Sequence, residues 1–160
     1  MTERTSWSLP RKHTIGDTAV DGLLAGMAAG LAMGVVLLAL GLVGGVGPAA
    51  TLGRFDPAEG GSAVVGALLH LAVSGLYGVV FALLWRLLGA RWAGGRRYAP
   101  LVGLAYGLAL WLAARFVLLP GMGSGLVAFA PWQFALAHLV YGAVLGYGIG
   151  RQAANRCGAS

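Results

Sequence analysis

The stretch His138-Leu139-Val140-Tyr141-Gly142-Ala143-Val144-Leu145-Gly146 decides the fold class. It lies inside an apolar run, so its histidine sits in lipid or within a helix bundle. On a helix, four-residue steps from His138 land on Gly142, Gly146 and Gly150 in one slowly drifting row. The same device occurs earlier as His70, Ser74 and Gly78. Each stretch is a helix face with one polar group at the head of a smooth strip.

The apolar setting extends over the whole chain. Its 160 residues are 58% hydrophobic and only 10% charged, with a mean hydropathy of +0.79. Soluble domains average roughly a quarter charged residues. A soluble fold of this size could not hide so much apolar surface, so lipid is the solvent. The net charge is +6. In a soluble protein that excess would point to nucleic acid. Here the basic residues cluster in short segments between apolar runs, as orientation signals do, and no nucleic-acid partner is expected. The single cysteine, Cys157, excludes an internal disulfide or a cysteine metal cluster.

The expected fold is all-α: one four-helix transmembrane domain over the whole chain. Span one runs from about Ala19 to Val43, span two from about Ser62 to Leu88, span three from about Ala99 to Leu119, and span four from about Trp132 to Gly150. Asp17 reads as the N-cap of span one, with Asp21 in the first turn near the positive end of the helix. Gly22, Gly26, Gly30 and Gly34 recur every fourth residue as a glycine zipper, a face that another backbone can approach closely. Residues 44–61 read as a Gly/Pro loop, with Arg54, Asp56 and Glu59 in a solvated turn. Pro120 and Gly121 end span three. The uncharged loop from Met122 to Pro131 follows, and its Leu126-Val127-Ala128-Phe129 segment reaches the membrane interface.

Residues 1–17 carry Arg4, Trp7, Arg11, Lys12 and His13. They do not read as a secretory signal, because the apolar run after them exceeds the ~7–15 residues of a signal core. Orientation follows from lysine and arginine. Three lie in the N-terminal tail (Arg4, Arg11, Lys12) and two in the C-terminal tail (Arg151, Arg156). Four surround the middle connector (Arg86, Arg91, Arg96, Arg97), where Trp92 and Tyr98 serve as interfacial anchors. The two opposite loops hold only Arg54. The count puts both termini in the cytoplasm.

The chain also echoes itself. Gly22-Leu23-x-x-Gly26-x-Ala28 matches Gly103-Leu104-x-x-Gly107-x-Ala109, and His70-Leu71 with Gly78 matches His138-Leu139 with Gly146. Spans one and two thus read as a copy of spans three and four. Both copies start on the same side, so the two-helix repeats are parallel, related by a pseudo-twofold along the membrane normal.

Tyr106-Gly107-Leu108 with Trp111, Leu119-Pro120, His138-Leu139, Tyr141-Gly142 and Leu145-Gly146 form one further pattern. In these residues the chain resembles a group of uncharacterised four-span inner-membrane proteins of bacteria and archaea. Span three of that group reads Y-G-L-x-x-W, and its span four opens H-L-x-Y-G-x-x-L-G. The likeness covers about a third of the chain, in its second half, and implies no activity. Arg115 departs from it, standing where an apolar or small residue is expected.

The candidate site follows from the topology. His70 lies about two turns below the outer end of span two, His138 one to two turns below that of span four, and Arg115 about one turn below that of span three. Intramembrane ionisable groups are costly and face a bundle interior. The expectation is an inward His70/His138/Arg115 cluster in the periplasmic half. Below it, Gly22, Gly26, Gly30, Gly34, Ser74, Gly78, Gly107, Gly142 and Gly146 form the helix-packing surfaces.

Three functions stay open. The first is a structural or accessory subunit, a homo-oligomer or part of a larger membrane complex, with the bilayer as its partner. The second is a b-type haem held between His70 and His138, with Arg115 toward a propionate. The third is a proton or small-ligand path through the imidazoles. The sequence holds no nucleotide loop, no nucleophile paired with a base and no H-E-x-x-H motif, so no enzymatic activity is expected. Two histidines without a carboxylate at their depth make no metal site.

Overall fold

In the computed structural model, residues 14–88, 95–122 and 125–158 are described. The helices are α1 (Ile15–Val43), α2 (Pro48–Gly53), α3 (Ala63–Leu88), α4 (Ala99–Ala113), α5 (Leu119–Met122) and α6 (Pro131–Gly158). A π-helical turn, Ala114–Leu118, joins α4 to α5, and 3-10 turns occupy Gly95–Tyr98 and Gly125–Ala128. There is no strand among the described residues. Four segments are long and apolar enough to cross a membrane: Ile15–Val43, Ala63–Leu88, Ala99–Leu118 and Pro131–Gln152. Arg4, Trp7, Arg11, Lys12, Arg91 and Trp92 lie outside the described residues.

Helix α1 begins four residues earlier than Ala19, because its cap is Thr14 and not Asp17. The Thr14 hydroxyl accepts from Asp17 N at 3.1 Å, and Asp17 Oδ2 accepts from Thr14 N at 2.8 Å. This capping box meets two backbone donors that the helix leaves open. Asp17 therefore stands inside the first turn, and Asp21 lies beyond it. At the same end Arg86, in the last turn of α3, donates to Thr14 O and Thr18 Oγ1, both at 2.8 Å. That tie sets α3 antiparallel to α1.

The glycines then let the two backbones touch. A Cβ built at Gly26 would stand 2.5 Å from Ser74 O and 2.7 Å from Gly78 Cα. One built at Gly78 would fall on the Gly22 carbonyl oxygen. Helices α4 and α6 meet the same way. A Cβ at Gly142 would fall on the Gly103 carbonyl, and one at Gly107 on the His138 carbonyl. In lipid no hydrophobic drive pulls helices together, so such close van der Waals contact and interhelical hydrogen bonds hold the pairs.

The two pairs join through α1 and α6, giving the spatial order α3, α1, α6, α4. Where α3 and α4 face one another, side chains fill the gap: the Phe81 and Tyr106 rings lie 5.1 Å apart, and Tyr106 Oη donates to Tyr77 O at 2.9 Å. Tyr141, fully buried on α6, donates to Ser74 O at 2.6 Å. The second tyrosine ties α6 to α3 across the interior.

Two irregular stretches differ from the expectation. Residues 44–61 are not all loop, because α2 forms within them. Pro48 starts it, and Thr51 is fully buried, its hydroxyl bonded to Gly47 O at 3.1 Å and so close to Gly41 that a Cβ there would lie 2.5 Å from it. Asp56 is likewise nearly buried rather than solvated. Its carboxylate accepts from Ala58 N at 3.0 Å and Ser62 N at 2.8 Å, turning the chain into α3. The third span ends at Leu118, just ahead of Pro120, although the helical backbone runs on to Met122. An α-helix would set the proline ring against the carbonyl four residues back. The π turn, closed by Leu119 N donating to Ala114 O, changes that register just before the proline.

Candidate functional site

His70 and His138 sit near the end of the bundle that carries α2 and the Gly125–Ala128 turn. A carbonyl only accepts, so each imidazole donates. His70 Nε2–H donates across the helix pair to Gly30 O at 2.9 Å. Gly34 stands one turn above that carbonyl, where a Cβ would make only ordinary contact with the imidazole, 3.7 Å from His70 Nε2. Gly22, Gly26 and Gly30 serve the contact with α3, Gly30 through the Ser74 side chain. His138 Nδ1–H donates to Phe134 O on its own helix at 2.8 Å.

A chain of aromatic rings runs between the two histidines. Phe55 packs on His70 at 4.5 Å, Phe129 lies 6.2 Å from Phe55, Phe134 lies 6.2 Å from Phe129, and His138 lies 4.4 Å from Phe134. The Arg54 guanidinium covers the Phe129 ring at 4.7 Å, a cation–π contact that closes the end of the bundle. Phe129 is therefore buried inside the bundle mouth, not spread on the membrane interface. Asp56 and Glu59, with Arg54 and Gly125, line an open cavity of about 350 Å³ on the outer side of this lid. The backbone N–H groups of Ala58 and Ser62 hold the Asp56 carboxyl below the usual range, against a smaller opposing effect of burial.

Arg115 is half-buried in the π turn and makes no hydrogen bond or ion pair with either histidine or with any other described residue. Four residues before it, the indole N–H of Trp111 is buried without an acceptor. Among the described residues no three His, Cys, Asp or Glu side chains gather as metal ligands.

The geometry limits the chemistry. Haem iron takes a lone pair from an imidazole nitrogen. In His70, Nε2 carries the proton bonded to Gly30 O, and the Phe55 ring lies on the imidazole. The lone pairs are left on His70 Nδ1 and His138 Nε2, with Phe55 and Phe134 packed against the two rings. Several residues of the site carried no sequence signal. Phe55 and Phe129 lie in irregular segments, and Gly103, which receives Gly142 and Gly146, was visible only as part of the internal echo.

One family model matches residues 17–159, from the first turn of α1 to just past the end of α6, and carries the description family of unknown function, DUF6789. No curated protein and no solved structure matches the chain. With nearly its whole length matched, four apolar helices included, the chain belongs to the family of unknown function DUF6789.

Proposed function

We propose that this protein is a structural or accessory subunit of a larger membrane assembly. One observation carries the reading: both membrane histidines and two interior tyrosines are spent on backbone carbonyls of the bundle itself, while the Trp111 indole N–H is left without an acceptor. His70 bonds Gly30 O, His138 bonds Phe134 O, Tyr106 bonds Tyr77 O and Tyr141 bonds Ser74 O. Such groups lock helices in place, whereas a transport path needs polar groups left over for its cargo. The glycine contacts favour the same reading, since they bring backbones together with no room between.

In this reading the glycine rows are zippers and the two helix pairs are copies of one unit. Matching contacts support the copy. Gly78 lies on Gly22 and Gly26, and Gly146 lies on Ala99 and Gly103. The contacts make Gly103 the counterpart of Gly26, one turn from the sequence echo with Gly22. With a small residue every fourth position, a slip of one turn leaves the same smooth face, and Ala99 takes the part of Gly22. The membrane is the inner membrane and both termini are cytoplasmic, a placement supported by the lysine and arginine counts.

The test is the mass of the native particle. Membranes are solubilised in a mild detergent, and the particle holding this chain is compared with the purified 16.3 kDa chain in the same detergent. A larger native particle is expected. Complete recovery as a single chain would overturn the proposal. A Soret band in the same preparation, lost in both His70→Ala and His138→Ala, would replace it with the haem reading.

A further inference from the structure

We infer that Arg115 and the π turn around it form a binding site for the phosphate of an anionic phospholipid. A guanidinium stays charged in any protein setting, so within a span it needs an anion or water. No described side chain supplies one. Arg115 makes no hydrogen bond or ion pair among the described residues. Of the two carboxylates at this end of the bundle, Asp56 is bonded to Ala58 N and Ser62 N, and Glu59 is exposed in the loop.

The position matches a lipid headgroup. Arg115 lies in the last turn of the Ala99–Leu118 span, where headgroups meet hydrocarbon. The residue as a whole is half-buried. The next three residues, Phe116, Val117 and Leu118, are all exposed, offering an apolar surface to acyl chains beside the charge. The π turn is the second independent feature. Such turns are rare and concentrate at functional sites, and this one sets the register of the segment that carries the arginine. A fixed fork of N–H donors beside exposed apolar residues suits a phosphodiester that carries chains, rather than free phosphate.

The experiment uses the full chain in a non-ionic detergent. Native mass spectrometry measures retained dioleoyl phosphatidylglycerol against dioleoyl phosphatidylcholine, and inorganic phosphate is added as a competitor. Wild type is expected to hold the anionic lipid about tenfold more strongly than Arg115→Gln does, the loss of one charge-assisted contact. Arg115→Lys should fall between them, and Arg97→Gln at the other end of the bundle should match wild type. Equal retention by folded Arg115→Gln overturns the inference, as does competition by inorganic phosphate at concentrations equal to the lipid. Should Arg115→Gln fail to fold, wild type is compared with dioleoyl glycerol, which has no phosphate. Equal retention of the two lipids would then be the refuting result.

Discussion

Gly26 and Gly34 lie on one row of α1, eight residues apart, and adding the same methyl group to each should have opposite effects. At Gly26 the new Cβ would stand 2.5 Å from Ser74 O, 2.7 Å from Gly78 Cα and 3.1 Å from Gly78 N. An ordinary carbon–oxygen contact is about 3.3–3.6 Å, so α1 and α3 must part by about 1 Å. All three neighbours are backbone and cannot rotate away. A gap of that size forfeits about a quarter to a half of each dispersion contact along the seam. Overpacking of this kind costs about 1–3 kcal/mol, while alanine regains up to about 1 kcal/mol of helix propensity. Gly26→Ala should therefore destabilise by up to about 2 kcal/mol. At Gly34 the nearest atom is His70 Nε2 at 3.7 Å, which is open contact, so Gly34→Ala should keep only the propensity gain. The propensity gain cancels between them, so the two variants should differ by the overpacking cost, about 1–3 kcal/mol, in reversible unfolding measured in one detergent. A Gly26→Ala protein as stable as Gly34→Ala would show that α1 and α3 do not meet backbone to backbone.

Tyr141→Phe keeps the ring and removes only the donor to Ser74 O, so it should cost about 0.5–1.5 kcal/mol in the same assay. No loss would mean that the hydroxyl is not bonded across the interior. Asp56 predicts an acid-sensitive loop. Its carboxyl is held below its ordinary value, so the stabilisation is present above the unfolded value of about 3.9 and is lost as pH falls through the lower folded one. Amide exchange at Ala58 and Ser62 should accelerate, relative to the intrinsic rate, only on acidification below about pH 4, and Asp56→Asn should flatten that response. A cysteine at Ala58, with Cys157 replaced by serine, should react with an impermeant maleimide from outside intact cells. Labelling only after lysis would reverse the proposed orientation.

The four spans were legible because crossing hydrocarbon demands long apolar helices, and nothing else explains runs such as residues 19–43. The glycine rows were legible for a related reason: in lipid, a missing Cβ on every turn has one common use. What sequence periodicity could not reach was whatever depends on tertiary position. α2 reads as a loop because Pro48 and Gly53 bracket it, and it is the burial of Thr51 beside Gly41 that marks it as part of the packed bundle. The histidines were expected inside, and which carbonyl His70 bonds, Gly30 O on another helix, follows only from how α1 and α3 pack. The rings of Phe55 and Phe129 belong to connecting segments whose course no local pattern reveals. Arg115 was expected beside the histidines from depth alone. Among the described residues it has no hydrogen bond to either, and the π turn that carries it had no sequence signal.

The direction of the interior hydrogen bonds bears on how the chain assembles as it leaves the ribosome. His70 and Arg86 find their acceptors at Gly30, Thr14 and Thr18, all on α1. Once α1 and α3 are in the bilayer, these two polar side chains are already satisfied, and the pair can wait there as a finished hairpin. The later half is not self-sufficient. The hydroxyls of Tyr106 and Tyr141 both donate to carbonyls of α3, at Tyr77 and Ser74. Until α4 and α6 dock on the earlier pair, two phenolic donors in the hydrocarbon lack their native acceptors. Synthesis order and bonding order therefore coincide. The first hairpin is the template, and the second completes its own polar contacts only by closing onto it.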